Sequence, residues 1–278
     1  MINMYKRVLI SLDLEGVNRV VGEPYCGLAR DTEQWYIARE QAVLEINSAA
    51  EALFDAGVEA VGLWDYHAAS SNVDVNALDP RITVISTDPN KPRLYFAEGN
   101  YDCVCYFGYH TMEGTLGGVL AHTMSSQSVQ FYKLNGKHVG EVDIDAYITA
   151  AVGIPSRFFA GGDIACKQAK RSIDEIVTVT TKKEISRNEA VFRDNDELFA
   201  DIRKMIVQAI KTKADPHPLK FPAALEKSFK RVEDAEKYLI RLRSFGICAD
   251  YLDDDILGKD AHTVVSTINE IEDLIKGL

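Results

Sequence analysis

The stretch Ser11-Leu12-Asp13-Leu14-Glu15-Gly16 limits what this chain can become more than any other. The apolar run Val8-Leu9-Ile10 leads into it as a strand, and Gly16 ends it. Residues two apart on a strand share a face, so the carboxylates of Asp13 and Glu15 point the same way at the strand's end. Like charges that close repel and raise each other's pKa, and they sit together ionised only beside a cation. No Lys or Arg lies within the motif; Arg7 and Arg19 fall outside it. A divalent metal is the economical partner.

The rest of the first half alternates strands with helices. Asp31-Thr32 opens a long helical pattern, with Asp31 as the expected N-cap, and apolar residues from Trp35 to Phe54 recur at helical spacing until Gly57 stops it. Residues 58–64 read as the next strand, which makes a βαβ unit and favours a parallel sheet. Further strands are expected at 82–85, between Pro80 and Pro89, at 103–109, and at 157–160. Asn135-Gly136 marks a hairpin between strands 129–134 and 137–139. Helices are expected over 143–152 and from Asp163. The tail reads as a strand over 177–182, a helix over 195–212, an extended Asp215-Pro216-His217-Pro218 linker, a strand over 223–229, and helices over 233–242 and 260–275. The fold class is therefore α/β: a mainly parallel sheet flanked by helices, with a smaller α+β C-terminal region. Residues 1–170 are the expected catalytic domain, and 171–278 a smaller region serving the pocket or oligomerisation.

Composition excludes several function classes. With 42 acidic against 31 basic residues, the net charge of −11 opposes binding to nucleic acid or anionic membrane. No apolar run approaches a membrane span, and Met1-Ile2-Asn3-Met4 lacks a signal peptide's basic-then-apolar layout. The cysteines at 26, 103, 105, 166 and 248 are odd in number and scattered, which reads as buried thiols of a cytoplasmic protein. Gly114 to Gly118 is not a dinucleotide fingerprint and reads as a mobile loop.

The histidines locate the chemistry. His67 follows the second strand and His110 the strand over 103–109. Strands of a parallel sheet end at one shared edge, so Asp13, Glu15, His67 and His110 should meet there. Glu141 opens the helix after the hairpin; it either adds a third carboxylate or favours the helix N-terminus through the macrodipole. Two imidazoles with these carboxylates suit zinc, with manganese or cobalt as alternatives, and five ligands suit two metals sharing a carboxylate. His122, just past the glycine-rich loop, is placed to act as general acid or base, or to pack beneath that loop. Asp65 is either an orienting partner for His67 or a loop residue. His138, His217 and His262 read as surface residues.

With these motifs assembled, the chain resembles the zinc D-aminopeptidases of family M55. The matching segments are Ser11 to Gly16, Asp65-Tyr66-His67, Gly108-Tyr109-His110, His122-Thr123-Met124, Gly140-Glu141 with Ala146-Tyr147, Ala160 to Asp163, and Ile185-Ser186-Arg187. The resemblance implies that Asp13 bridges two zinc ions. Glu15, His67, His110 and Glu141 would complete their coordination, and His122 would be catalytic. It implies a two-metal activated water that cleaves N-terminal residues, D-amino acids among them, from short peptides or amino-acid amides. It also implies a homo-oligomeric ring, a decamer of stacked pentamers. Another metal-dependent amide or ester hydrolysis, or a metal-stabilised binding protein without turnover, are the alternatives. Asp143 and Asp145 depart from the family pattern and would add negative charge beside Glu141.

Overall fold

The computed structural model describes residues 4–68, 70–88 and 90–278. Met1 to Asn3 and Pro89, invoked above for the chain's start and a turn, lie outside the described residues. The first sheet is parallel throughout and uses strands β1 (Arg7–Leu12), β2 (Ala60–Asp65), β3 (Ile82–Ile85), β4 (Cys103–Tyr109), β7 (Ser156–Gly161) and β8 (Val177–Thr180). Their order in space is β3-β2-β1-β4-β7-β8, so β1 and β4 are central. Alternation along these strands divides an apolar run between two cores. Val8, Ile10, Leu12, Cys103, Cys105 and Phe107 face helices α1 (Glu33–Asp55) and α4 (Asn195–Lys211). Leu9, Val104, Tyr106, Tyr109 and Phe159 face the opposite side, covered by α2 (Glu141–Ala151) and α3 (Asp163–Ser172).

That second core also holds an antiparallel sheet, ordered β12-β13-β11-β5-β6. The hairpin β5 (Val129–Leu134) and β6 (Lys137–Val139) turns at Asn135 and Gly136, both at positive φ as a type I′ turn requires. Strand β5 pairs with β11 (Ala223–Phe229), which pairs with β13 (Gly258–Ile268), and β12 (Ala249–Asp254) lies at the edge. Helix α5 (Val232–Ser244) covers this sheet and α6 (Ile271–Lys276) closes the chain. A small hairpin, β9 (Lys182–Ser186) and β10 (Glu189–Phe192), links the first sheet to α4.

Local chemistry explains where the elements differ from expectation. Thr32, not Asp31, caps α1, its hydroxyl accepting from the Trp35 amide; Asp31 sits outside the helix at positive φ. The expected single strand over 177–182 breaks at Thr181, whose hydroxyl donates to Gly16 O at 2.6 Å and diverts the chain into β9. The region expected as a helix from Asp260 is mostly strand β13. Its β-branched Thr263, Val264, Val265 and Thr267 suit a pleated surface, and β11 and β12 pair with it on both edges. Cys103, Cys105 and Cys166 are buried as expected, but Cys26 and Cys248 are exposed; all five are free thiols. Just past the glycine-rich loop, Val119 N donates to Glu184 Oε1 at 2.7 Å and Leu120 N to Arg187 O at 2.9 Å, and within it Thr115 Oγ1 accepts from Gln168 Nε2 at 2.9 Å. No helix among the described residues is long and apolar enough to cross a membrane.

The ends of β1 and β4 approach each other unusually closely. Asp13 N donates to Phe107 O at 2.8 Å and Gly16 N to Gly108 O at 2.6 Å. A Cβ on Gly108 would lie 1.9 Å from Asp13 O, and one on Gly16 would lie 2.1 Å from Tyr109 O. Gly108 is also at φ +69°, in the left-handed region. We therefore expect Gly108→Ala to lose about 3 kcal/mol or more in urea denaturation. Gly136→Ala, at positive φ but with open space around its Cβ, should lose only about 1 kcal/mol.

Candidate metal centre

The C-terminal edge of the first sheet gathers Asp13 and Glu15 after β1, His67 after β2 and His110 after β4. Glu141 arrives from the first turn of α2, and His122 from the loop after β4. Asp13, Glu15, His110 and Glu141 are all buried. His67 Nδ1 lies 3.0 Å from Asp13 Oδ1 and 3.2 Å from Glu15 Oε2. His110 Nε2 lies 3.5 Å from Asp13 Oδ2 and 3.4 Å from Glu141 Oε1. The two oxygens of Asp13 thus face different imidazoles. His122 Nε2 is 3.6 Å from Glu141 Oε1, and its ring stacks on that of His110 with centroids 3.9 Å apart.

The imidazoles are aimed by their other nitrogens. His110 Nδ1 donates to Thr111 O at 2.9 Å and His122 Nδ1 to Leu120 O at 2.8 Å. Each ring, when neutral, therefore presents a bare Nε2 lone pair to the carboxylates, which are also lone-pair donors. His110 Nε2 is buried without a hydrogen-bond partner. An orphaned donor atom facing anionic oxygens fits a cation, and among the described residues two sets have ligand spacing: Asp13, Glu15 and His110, and His110, His122 and Glu141.

Electrostatics reports the same need. Burial and the charge of Glu15 push Asp13 up to about 7. Burial disfavours charge on His67 and His110, yet the surrounding carboxylates raise them to about 11 and about 10. Burial acts against ionised Glu15 and Glu141 too, but the imidazoles hold both carboxyls below the usual range. His122 goes the other way, lowered by burial and by the charge of His110. Without a metal the cluster stores protons to offset its carboxylates.

Several supporting residues were not foreseen. Tyr66 donates its hydroxyl to Glu141 Oε2, and Met124 N donates to Oε1 at 2.7 Å, so both oxygens are oriented. Lys182, fully buried, donates to the carbonyls of Glu15, Val17 (2.9 Å) and Val20, and so fixes the loop that carries Glu15. Asp65 touches no ligand imidazole; it binds the Asn72 amide and side chain, and Asn72 Nδ2 in turn holds His67 O at 2.8 Å. Asp145 does not leave an open charge beside Glu141. Arg93 grips it through two bonds of 2.6 and 2.9 Å, and Tyr109 donates to it at 2.7 Å. Asp143 accepts from Gly140 N at 2.7 Å at the start of α2. His138 and His217 are exposed and lie away from the site; His262 is half-buried on β13, its Nδ1 3.0 Å from Phe229 O.

Asp13, Glu15, His67, His122 and Glu141 floor a cleft of about 720 Å³ whose walls include Glu23, Tyr25, Leu28, Met124, Gln127 and Arg187. Residues 6–242 match the model of the peptidase M55 family, described as D-aminopeptidase. The chain belongs to the M55 peptidase family. A curated relative, a D-aminopeptidase of Bacillus subtilis (strain 168), is 29% identical over 187 residues, 66% of this chain and 65% of the relative's own length. The solved structure of the Zn-dependent D-aminopeptidase DppA from Bacillus subtilis, described as a self-compartmentalizing protease, superposes with a TM-score of 0.84. That match covers 98% of this M55 chain and 94% of the other at 22% identity, and establishes the shared fold.

Metal ligands must shed their protons to bind. Zinc added to metal-free protein at neutral pH should therefore release protons from the cluster, and its affinity should rise as pH is raised from 6 to 8, about where Asp13 titrates. Calorimetry in buffers of different ionisation enthalpy measures the release; no proton release would contradict the ligand set.

Proposed function

We propose that this chain is a zinc-dependent aminopeptidase that removes N-terminal residues, D-amino acids among them, from short peptides or amino-acid amides. The observation that carries the reading is the buried His110 Nε2, without a hydrogen-bond partner and facing Asp13 and Glu141, two carboxylates that line the cleft. Family membership supports the reaction class, and the zinc dependence described for DppA supports the metal. Two zinc ions per subunit suit the donors, with manganese or cobalt as replacements. Asp13 would be shared, since its oxygens face His67 on one side and His110 on the other. Glu15 and His67 would complete one site, and His110 and Glu141 the other.

Zinc bound there supplies Lewis acidity, which lowers the pKa of water and polarises a carbonyl. The chain's own residues do the rest. Glu23, on the cleft wall and outside the proposed ligand set, offers a carboxylate to the substrate's terminal ammonium group. Tyr66 and Met124 N keep Glu141 from rotating, and Lys182 keeps Glu15 in place. His122 is the proton carrier. Leu120 O fixes its tautomer, and burial beside His110 keeps Nε2 unprotonated near neutral pH, ready to accept a proton during attack and return it to the leaving amine.

The assembly is proposed to be a homo-oligomer, a decamer on the family pattern, in line with DppA's description as self-compartmentalizing. Exposed Leu44, Val191 and Phe192 supply apolar surface for it. The division into a domain over 1–170 and a smaller region over 171–278 is proposed on functional grounds: Arg187 brings the later part of the chain to the cleft. Five free thiols suit the reducing cytoplasm.

His122→Ala should lower kcat by about 10²–10⁴-fold while zinc content stays at the wild-type level. Asp13→Ala should lose both metal and activity. Metal analysis beside turnover of aminoacyl amides and dipeptides checks both; loss of zinc from His122→Ala would move His122 from proton carrier to ligand.

A further inference from the structure

The cleft over the metal centre has a marked charge asymmetry. Four carboxylates line it, from Asp13, Glu15, Glu23 and Glu141, and Arg187 is the one Lys or Arg among the described lining residues. Arg187 lies in the turn between β9 and β10, and both its backbone and its side chain are tied to the segment that carries His122. Leu120 N donates to Arg187 O at 2.9 Å, and Arg187 Nη1 donates to Ala121 O at 2.8 Å. Successive carbonyls, Leu120 O and Ala121 O, therefore orient His122 Nδ1 and the Arg187 guanidinium in turn. Among the described residues that guanidinium pairs with no carboxylate, although acids crowd the cleft. Its remaining N–H donors have no protein acceptor there.

We infer that Arg187 is a specificity-determining residue that binds the free C-terminal carboxylate of a short peptide substrate. This rests on the aminopeptidase reading. A peptide's two ends are oppositely charged, and with Asp13, Glu15 and Glu141 committed to the metals the cleft still offers Glu23 to the ammonium end and one guanidinium on the wall to the carboxylate end. Among the described residues, and apart from the metal centre, Arg187 is the one Lys or Arg side chain lining the cleft to which a substrate carboxylate can bind. Its planar fork can take both carboxylate oxygens. Because the cation is fixed relative to His122, it favours peptides whose C-terminus falls near the scissile bond, which are dipeptides and their close relatives. Amino-acid amides carry no carboxylate to place there.

The test compares alanyl-alanine, in whichever configuration the zinc-loaded wild type turns over faster, with its C-terminal amide. Wild type should favour the free acid by about tenfold or more in kcat/KM, the worth of a charge-assisted hydrogen bond. Arg187→Met should raise KM for the free acid by about 10–100-fold and affect the amide far less, and Arg187→Lys should recover part of the loss. Equal losses on acid and amide, carried by kcat, would instead assign Arg187 to holding the His122 segment and overturn the inference. If wild type cleaves neither substrate, the aminopeptidase reading fails. Calorimetric binding of alanyl-alanine to zinc-loaded His122→Ala, with and without Arg187→Met, then decides the carboxylate contact by itself. Equal affinity in the two proteins would overturn it.

Discussion

Three carboxylates and three imidazoles lie within a few ångströms of one another at the edge of a parallel sheet, and most of them have almost no contact with water. Such a set is unstable by itself: anions removed from water repel, and protons taken up by the imidazoles only partly offset them. The histidine tautomers sharpen the conflict, because backbone carbonyls claim the Nδ1 protons of His110 and His122 and leave lone pairs turned toward oxygens. A divalent cation resolves it, and much of the surrounding architecture can be understood as holding these groups together against their repulsion. Lys182, buried beneath the loop, is a second cation serving the same end through three carbonyls.

Backbone geometry makes that convergence possible. The ends of β1 and β4 come so close that side chains on Gly16 and Gly108 would collide with main-chain atoms. This brings Asp13 against His110, while the parallel register of β1 with β2 brings it against His67. Helix α2 then delivers Glu141 from the opposite layer, where the hairpin β5–β6 has carried the chain into the second sheet. The two layers meet at the metal centre, so the packing of each bears on the spacing of the ligands.

Much of the first layer was legible because its signals are local. The βαβ pattern, the buried strand at 103–109 and the Asn135-Gly136 turn all depend on residues adjacent in sequence. The second sheet was less so. Residues 260–268 read as the start of a helix, yet their β-branched residues become a strand once β11 and β12 offer backbone partners on both edges. Thr181 looked like the middle of a strand because its real partner, Gly16 O, lies 165 residues away. Asp31 and Thr32 both suit an N-cap, and only the backbone angles choose between them.

The sequence by itself determined which residue types end the strands, and with them the class of chemistry: Asp13, Glu15, His67 and His110 follow apolar runs, and strands of one parallel sheet end together. Only the tertiary structure decided how these groups are charged and aimed. The partners of Tyr66, Asn72, Arg93, Lys182 and Arg187 are set by packing between separate elements, many of them distant along the chain. So Asp145 became an Arg93 partner instead of a free charge, and Asp65 a clamp on the His67 loop instead of a ligand's neighbour. The physical reason is range: hydrophobic period and turn chemistry act over a few residues, whereas Coulomb forces and hydrogen bonds depend on distances that exist only after the chain has packed.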